Sequence, residues 1–284
     1  MRSFAIPVLL AAATAVALPA HAQLKLPRPS PGASSTQTLG LTELSVKYSR
    51  PGVKGRKIWG ELVPLDKPWR TGANEATTFT TDGEVQFGGK KLAAGTYAVV
   101  TIPGKDEWTI ALNSDKEMWG NDGYDPKKDV LRVTAKPAAA EHQEWMSIGF
   151  DDLTNNSTNL VLRWEKLKVA VPITADVNSQ GLANARAAMA SLKSDDWLTA
   201  YQAASFTLNN DVSMDEGEKW LAKSLAIQEN HINLNLQARW HAKAGRKAEA
   251  IAAGEKAIAK GKAAKEPADV SGTERLVAEW KASK

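Results

Sequence analysis

The spacing of hydrophobic residues follows two periods, one before residue 176 and one after it. In the first part Leu44, Val46 and Tyr48 alternate with polar residues, and this period of two predicts a β-strand. Short β-branched and aromatic runs predict further strands at 76–81, 84–87, 97–102, 108–112, 130–135, 145–150, 160–164 and 167–173. Turn dipeptides such as Asp82-Gly83 separate them, so we expect an antiparallel, jelly-roll-like β-sandwich over residues 37–175.

Beyond residue 176 the hydrophobic residues recur with a helical period. Amphipathic helices are predicted at 181–193, 195–208, 213–228, 232–244, 247–260 and 273–282. We expect Ser213 and Glu216 to form a capping box, and Gly245 and Gly261 to end their helices. Short connections predict antiparallel neighbours, and therefore an antiparallel helical bundle over residues 176–284.

One helix pair in this second part carries a repeat pattern. With Gly245 at the turn, small and apolar residues fall where a tetratricopeptide repeat packs its two helices, namely at Leu234, Ala238, Ala250 and Ala257. Gly254 stands where an aromatic residue is usual, so the pattern indicates one degenerate repeat. Because about three such units are needed for an independent solenoid, we expect a compact bundle without a concave peptide-binding groove.

The N-terminal residues have the pattern of a secretory signal peptide. Arg2 precedes an apolar stretch at 4–17, and Ala20-His21-Ala22 forms a small-x-small ending. A membrane anchor, the alternative, requires about 20 spanning residues with flanking charges. We expect a signal peptide at 1–22, cleaved after Ala22, and a proline-rich linker at 23–36. The chain is then exported to the periplasm or the extracellular space, with no membrane span left after cleavage.

The composition is that of an ordinary globular protein, with 43% hydrophobic and 24% charged residues in a chain of 284. Lysine and arginine number 36 against 32 acidic residues, a net charge of +4. This near balance argues against nucleic acid as a partner. Because the chain has no cysteine, disulfides and thiolate metal sites are excluded, and core burial must stabilise the fold.

The usual motifs for catalysis, metals and cofactors are missing from the sequence. Its histidines, at positions 21, 142, 231 and 241, include no pair at the spacing of a helical metal site. No nucleophile elbow, phosphate-binding glycine loop or dinucleotide fingerprint is present. Residues 121–125 with Asp129 lack the spacing of a calcium loop, which favours a plain Asp-Gly turn. We therefore expect no catalytic residue, no metal and no cofactor.

Residues 48–60 and 68–76 stand out because long cations, two tryptophans and an Asn-Glu pair are concentrated around glycines. Arginine binds carboxylates and phosphates bidentately, and tryptophan faces stack on sugars or cations. These segments predict a pocket wall for a small anionic or carbohydrate ligand, with candidate residues Arg50, Lys54, Arg56, Trp59, Trp69, Arg70, Asn74 and Glu75. The alternative is structural: Arg50 or Arg70 pairs with Glu75 to brace the loop, and the tryptophans plug one end of the sandwich.

The same segments carry a resemblance to a known family. The runs concerned are Tyr48-Ser49-Arg50-Pro51, Lys54-Gly55-Arg56-Lys57-Ile58-Trp59-Gly60, Trp69-Arg70-Thr71-Gly72-Ala73-Asn74-Glu75-Ala76-Thr77, Ala94-Gly95-Thr96-Tyr97, Ile102-Pro103-Gly104, Trp108-Thr109, and Tyr124-Asp125 followed by Asp129-Val130. From about residue 31 to residue 175 the chain resembles the secreted bacterial family called domain of unknown function 2911, whose members often continue into a tetratricopeptide-like helical tail. The resemblance implies an exported β-domain and brings no activity with it.

These patterns favour a non-catalytic binding or structural module of the periplasm or cell envelope. The alternative is a hydrolase that acts on an envelope polymer or glycan, in which Glu75 pairs with Asp129 or another distant carboxylate as acid and base. A third hypothesis is an assembly protein that meets a protein partner through its helical tail.

Overall fold

A computed structural model describes residues 26–283, so the predicted signal peptide and its cleavage point lie outside the described residues. Within 26–283, strands are followed by helices, as the change of period predicts. None of these helices has the length and apolarity needed to cross a membrane. The strands are β1 (Gly32–Leu39), β2 (Thr42–Ser49), β3 (Thr78–Thr81), β4 (Val85–Phe87), β5 (Lys90–Leu92), β6 (Gly95–Pro103), β7 (Trp108–Asn113), β8 (Asp129–Ala135), β9 (Ala138–Asp151) and β10 (Ser157–Thr174).

The strands form two antiparallel sheets that face each other as a β-sandwich. The larger sheet has the order β1-β2-β3-β6-β7-β8, and the smaller has the order β5-β4-β10-β9. One hydrophobic core fills the space between them, because alternate residues of the strands point inward. In β2 these are Leu44, Val46 and Tyr48, whose alternation predicts the strand.

Two long strands differ from their prediction. β1 begins at Gly32, inside the tract 23–36 that the prolines assign to a linker, because its residues 32–39 pair along their whole length with β2. This strand depends on a partner and has little β-propensity of its own. β10 is one strand where two are predicted, since the register shifts between Arg163 and Leu167 bend it without ending it.

The helical tail contains two hairpins of similar form. Its helices are α1 (Val177–Ala190), α2 (Trp197–Asn210), α3 (Met214–Ile227), α4 (His231–Lys243), α5 (Lys247–Lys262) and α6 (Ser271–Ala282). α2 packs on α3 and α4 packs on α5, and the two hairpins begin 34 residues apart, at Trp197 and His231. This spacing is the length of a tetratricopeptide repeat, so a second such hairpin precedes the one that the sequence indicates.

The helix ends follow the sequence signals only in part. Ser213 has a φ of 46° and makes no side-chain cap, so the capping box predicted there is wrong. A capping box is formed instead by Asn230 and Asn233 at the start of α4. Gly245 follows the end of α4 with a φ of 73°, as predicted for a glycine that ends a helix.

Two glycines of α5 allow later segments of the same chain to pack closely against this helix. Gly261 lies within the helix and does not end it, and a Cβ there would lie 2.5 Å from a methyl group of Val270. A Cβ at Gly254 would lie 2.4 Å from a methyl group of Val277 in α6. α6 therefore occupies the space that an aromatic side chain at position 254 would need, which explains the departure from the repeat pattern.

The first helix is joined to the sandwich without a free linker. The Ala175 amide donates to the Asn156 carbonyl, and the Asp176 side chain then caps α1. On the other side, a Cβ added at Gly40 in the turn between β1 and β2 would lie 2.3 Å from Val177 Cγ2. The turn and the helix are thus in direct contact, and the fold requires a glycine at this position.

Gly40→Ala should lose more stability than Gly89→Ala. The two glycines have φ values of 61° and 76°, so each alanine loses about 1 kcal/mol in backbone free energy. Only at Gly40 does the new Cβ overlap another side chain, and relieving that overlap costs about 1 to 3 kcal/mol more. Urea denaturation of the whole chain measures both losses. Equal losses would contradict the contact between the turn and α1.

Candidate functional site

The long connection (residues 50–77) between β2 and β3 contains the candidate residues, and it is bound to both sheets. Near its start the Val53 amide donates to the Glu144 carbonyl of β9 at 2.9 Å. Near its end Trp69 and Thr101 of β6 exchange two backbone hydrogen bonds of 2.8 and 2.9 Å. The long connection is therefore an ordered part of the sandwich.

Two of the candidates, Trp59 and Trp69, face the core. Together with Trp108 of β7 and Trp164 of β10 they form the tryptophan cluster, in which the Trp59 ring centroid lies 5.0 Å from that of Trp108 and 5.8 Å from that of Trp164. Trp69 is 5% exposed and stacks on Trp164. Both rings therefore belong to the packing between the sheets and do not line a ligand pocket. Trp108 pairs with Pro103 beside the turn between β6 and β7, so the cluster lies near one end of the sandwich, as the structural alternative places it.

The cations at the start of the long connection are directed at β9 and at their own turn. Arg50 Nε donates to the Met146 carbonyl of β9 at 2.8 Å, and Arg56 donates to two carbonyls of its own turn. Lys54 Nζ lies 5.6 Å from the ring centroid of Trp145, also in β9. These contacts fasten the long connection to the smaller sheet, and they separate the three cations from the remaining candidates.

Asn74 and Glu75 hold the segment that precedes β1. Glu75 Oε1 accepts a hydrogen bond from Arg28 Nη1 at 2.6 Å, and Asn74 Nδ2 donates to the Ser30 carbonyl at 3.0 Å. The partner of Glu75 is thus neither of the two arginines expected from the sequence. The N-terminal segment is brought alongside the end of the long connection.

A row of cross-strand neighbours runs over the outer face of the larger sheet. Ser34 of β1 lies opposite Lys47 of β2, and Lys47 lies opposite Thr78 of β3. The row continues through Ala98 of β6 to Asn113 of β7. Because the inward residues of these strands fill the core, this row faces away from it.

An open groove of about 510 Å³ lies over the β1–β3 end of this row. We call it the outer groove, and its charged and hydroxyl-bearing walls include Arg28, Ser34, Lys47, Glu75, Thr78 and Lys116. Glu75 is already paired with Arg28. Since no carboxylate within residues 26–283 pairs with the other two cations, the outer groove carries a net positive charge.

The outer loop (residues 114–128), between β7 and β8, covers the neighbouring part of the same row. Met118 is buried against Ala98 of β6, and a β-bridge joins Trp119 to Glu75. The Trp119 side chain is directed outward, with the residue 69% exposed. Lys116 of this loop lines the outer groove, so the loop forms one of the groove's walls.

A polar cluster fixes the base of the outer loop. Tyr124 donates to Asp129 Oδ2 at 2.7 Å, and the buried Asn113 donates to Asp129 Oδ1 at 2.8 Å. Arg132 donates to both Asp129 and Tyr124. Burial, together with the hydrogen bond to Asp129 and its charge, raises the pKa of Tyr124 to about 12.

Arg70 meets the outer loop at Asn121. Its backbone amide and its Nη1 lie 3.1 and 3.4 Å from Asn121 Oδ1. Arg70 Nε is buried without a partner among the described residues, and burial lowers the pKa of the guanidinium. A partly buried guanidinium that lacks a carboxylate partner within 26–283 favours a bound anion nearby.

The carboxylates around the outer groove do not have the arrangement of an acid–base pair. The hydrogen bond from Arg28 lowers the pKa of the exposed Glu75, whereas a general acid at neutral pH needs a raised pKa. Asp129 accepts hydrogen bonds from three side chains. The geometry therefore lends no support to the hydrolase hypothesis. Residues 26–283 also hold no cluster of three metal-ligating side chains of the acidic, histidine or cysteine type.

A small cavity of about 30 Å³ lies among the core residues of the sandwich, apart from the outer groove. Its walls are apolar except for Thr71, Thr77 and Thr101, and the hydroxyls of Thr71 and Thr101 lie 3.1 Å apart. A space of this size holds roughly two water molecules. We therefore place the candidate site at the outer groove.

Four residues around the candidate site were missed by sequence reasoning: Arg28, Lys47, Lys116 and Trp119. The alternation in β2 predicts that Lys47 faces outward, but only the strand register shows which residues are beside it. Arg28 and Lys116 reach the groove from segments distant in sequence. No local pattern marks Trp119 as exposed, because its position depends on how the outer loop is folded over β6.

The fold and the candidate site define a two-part protein, a β-sandwich with a polar groove on its outer face and a tetratricopeptide-like helical tail. Residues 30–173 match the family model described as "Protein of unknown function (DUF2911)". The match covers half of the chain, so the chain belongs to this family, as its motifs predict. Comparison with curated proteins and with solved structures finds no match.

Tyr124 should ionise near pH 12, where an ordinary tyrosine ionises near 10. Because folding raises the pKa, the contribution of neutral Tyr124 to stability is complete below pH 10 and is lost as the pH rises to about 12. The tyrosinate absorbance of the wild type minus that of Tyr124→Phe gives the titration of Tyr124. Between pH 10 and about 12 the free energy of unfolding should depend less on pH in the variant than in the wild type. A difference curve centred near pH 10 would contradict the cluster geometry.

Proposed function

We propose that this chain is an exported binding protein of the periplasm or cell envelope, and that its β-domain holds a small anionic ligand in the outer groove. The charge of the groove carries the proposal, because Arg28, Lys47 and Lys116 line it against the single carboxylate of Glu75. Lysine and arginine bind carboxylates and phosphates through charge-assisted hydrogen bonds. A positive groove that is open to solvent also attracts anions from solution.

The order of the groove walls supports this proposal. The floor is hydrogen-bonded β-sheet, and the N-terminal wall is tied down by Asn74 and Glu75. The opposite wall is anchored by buried Met118 and by the hydrogen bonds of Asp129. Walls that are ordered before the ligand arrives lose little conformational entropy on binding, so more of the contact energy appears as affinity.

Export is supported by the N-terminal sequence. A basic residue, Arg2, precedes the apolar stretch at 4–17, and small residues flank His21 at the expected cleavage point. A chain without cysteine is also suited to an oxidising compartment, because it has no thiol to pair wrongly there.

The double variant Lys47→Ala/Lys116→Ala should lose anion binding, while Lys105→Ala, in the turn between β6 and β7, should not. Thermal-shift and calorimetric titration of the whole chain with phosphate, citrate and glucuronate should reveal at least one binding anion, bound more weakly at higher salt. Removing each cation should weaken its binding by about tenfold, equivalent to about 1.4 kcal/mol. Unchanged affinity in the double variant, or no binding of any anion, would refute the proposal.

Expression of the whole chain in a Gram-negative bacterium should give a protein that begins at Gln23. A signal peptidase cleaves after a small-x-small sequence, and large charged residues in the small positions block it. Intact-mass measurement of the periplasmic and medium fractions identifies the first residue. The control Ala20→Arg/Ala22→Arg should remain uncleaved. Recovery of the wild-type chain only from the cytoplasm, with the leader intact, would rule out export.

A further inference from the structure

Trp119 is an exposed indole in the outer loop, which lines the outer groove through Lys116 and pairs with Glu75 of the groove wall. It is 69% exposed, whereas Trp69, Trp108 and Trp164 of the same domain are 5% exposed or less. Single exposed hydrophobic residues are common on protein surfaces, so exposure alone indicates no function. What distinguishes Trp119 is how it is held and which groups surround it.

The backbone of Trp119 is fixed from several sides. A β-bridge joins it to Glu75, and the preceding residue, Met118, is buried in the small core between the outer loop and β6. Gly123 is packed so closely that a Cβ there would lie 3.1 Å from the Trp119 carbonyl oxygen. Asn121, two residues after Trp119, accepts hydrogen bonds from Arg70. The ring is therefore presented from an ordered loop, at little entropic cost to a ligand.

Residues near Trp119 along the chain and across its β-bridge are polar or cationic. Lys116, three residues before it, lines the outer groove, and Glu75 lies across the β-bridge. Arg70 reaches the loop at Asn121, two residues after the tryptophan. A protein interface of ordinary size would need a larger continuous apolar surface, whereas one flat aromatic face among hydrogen-bonding groups suits a small amphipathic ring.

We propose that the anion bound in the outer groove is an acidic saccharide, with one sugar ring stacked on Trp119 and its carboxylate or sulfate held by Lys116 and its neighbours. This inference rests on the proposed function. A pyranose ring offers a face of C–H groups to an indole and an edge of hydroxyls to polar side chains. Its acidic substituent pairs with lysine or arginine. The groove, of about 510 Å³, has room for an oligosaccharide fragment.

Three probes, each titrated into the whole chain, distinguish recognition of the sugar ring from recognition of the charge. They are trigalacturonate, which has both, maltotriose, which has the sugar rings without charge, and triglutamate, which has the charge without sugar rings. By calorimetry at low salt we expect trigalacturonate to bind most tightly. Trp119→Ala should weaken trigalacturonate binding by about five- to tenfold and leave triglutamate binding unchanged.

Two variants serve as controls for the loss of the ring. Trp145→Ala removes another exposed tryptophan, on β9 beside Lys54, and should change the affinity for none of the probes. Trp119→Phe keeps an aromatic face and should retain part of the preference for trigalacturonate. Circular dichroism of each variant establishes that it is folded.

The outcomes distinguish this inference from the proposed function. Equal affinities for trigalacturonate and triglutamate, both unaffected by Trp119→Ala, would overturn the inference that the ligand is a saccharide. The proposed anion-binding groove would still stand. If maltotriose binds as tightly as trigalacturonate, the inference that the groove recognises an acidic substituent is overturned. If no probe and no simple anion binds, the proposed function fails and this inference fails with it.

Discussion

Four indole rings between the two sheets hold the long connection in place, and the outer surface depends on their packing. Trp59 and Trp69 come from the connection, Trp108 comes from the larger sheet, and Trp164 comes from the smaller one. A buried tryptophan removes 150–250 Å² from water, which stabilises by roughly 4 to 6 kcal/mol per ring at most. Edge-to-face contacts also direct the buried Nε1 edge of the Trp59 indole toward neighbouring rings, and this nitrogen has no hydrogen-bond partner among residues 26–283.

The same packing determines where the charged residues emerge. Just after Trp69 the chain turns sharply, and Thr71 and Asn74 have φ values of 59° and 58°. Such a conformation costs a β-branched residue of order 1 to 3 kcal/mol, which the buried hydrogen bonds of Thr71 to Thr101 and from Thr77 offset. The turn carries Glu75 to the outer face. Interior packing and the charge pattern of the groove are therefore coupled through a few residues of backbone.

The sequence predicts the architecture better than it predicts the site. Periods of two and of 3.6 identify most strands and all six described helices, because one face of each element must be buried. β1 is not identified by its period, because its residues have little β-propensity and the strand forms by pairing with β2. At the site, Arg70 and Glu75 are found from local sequence, whereas Lys47, Lys116 and Trp119 come together only through strand register and loop folding. Such contacts are long-range and leave no local signal.

Only two residues, Ala175 and Asp176, separate β10 from α1. The strand that bends across the smaller sheet ends at Thr174, and Ala175 and Asp176 are both hydrogen-bonded before the helix begins. No stretch of unpaired chain lies between the sandwich and the tail. The start of the tail therefore continues directly from the smaller sheet and packs against the turn between β1 and β2.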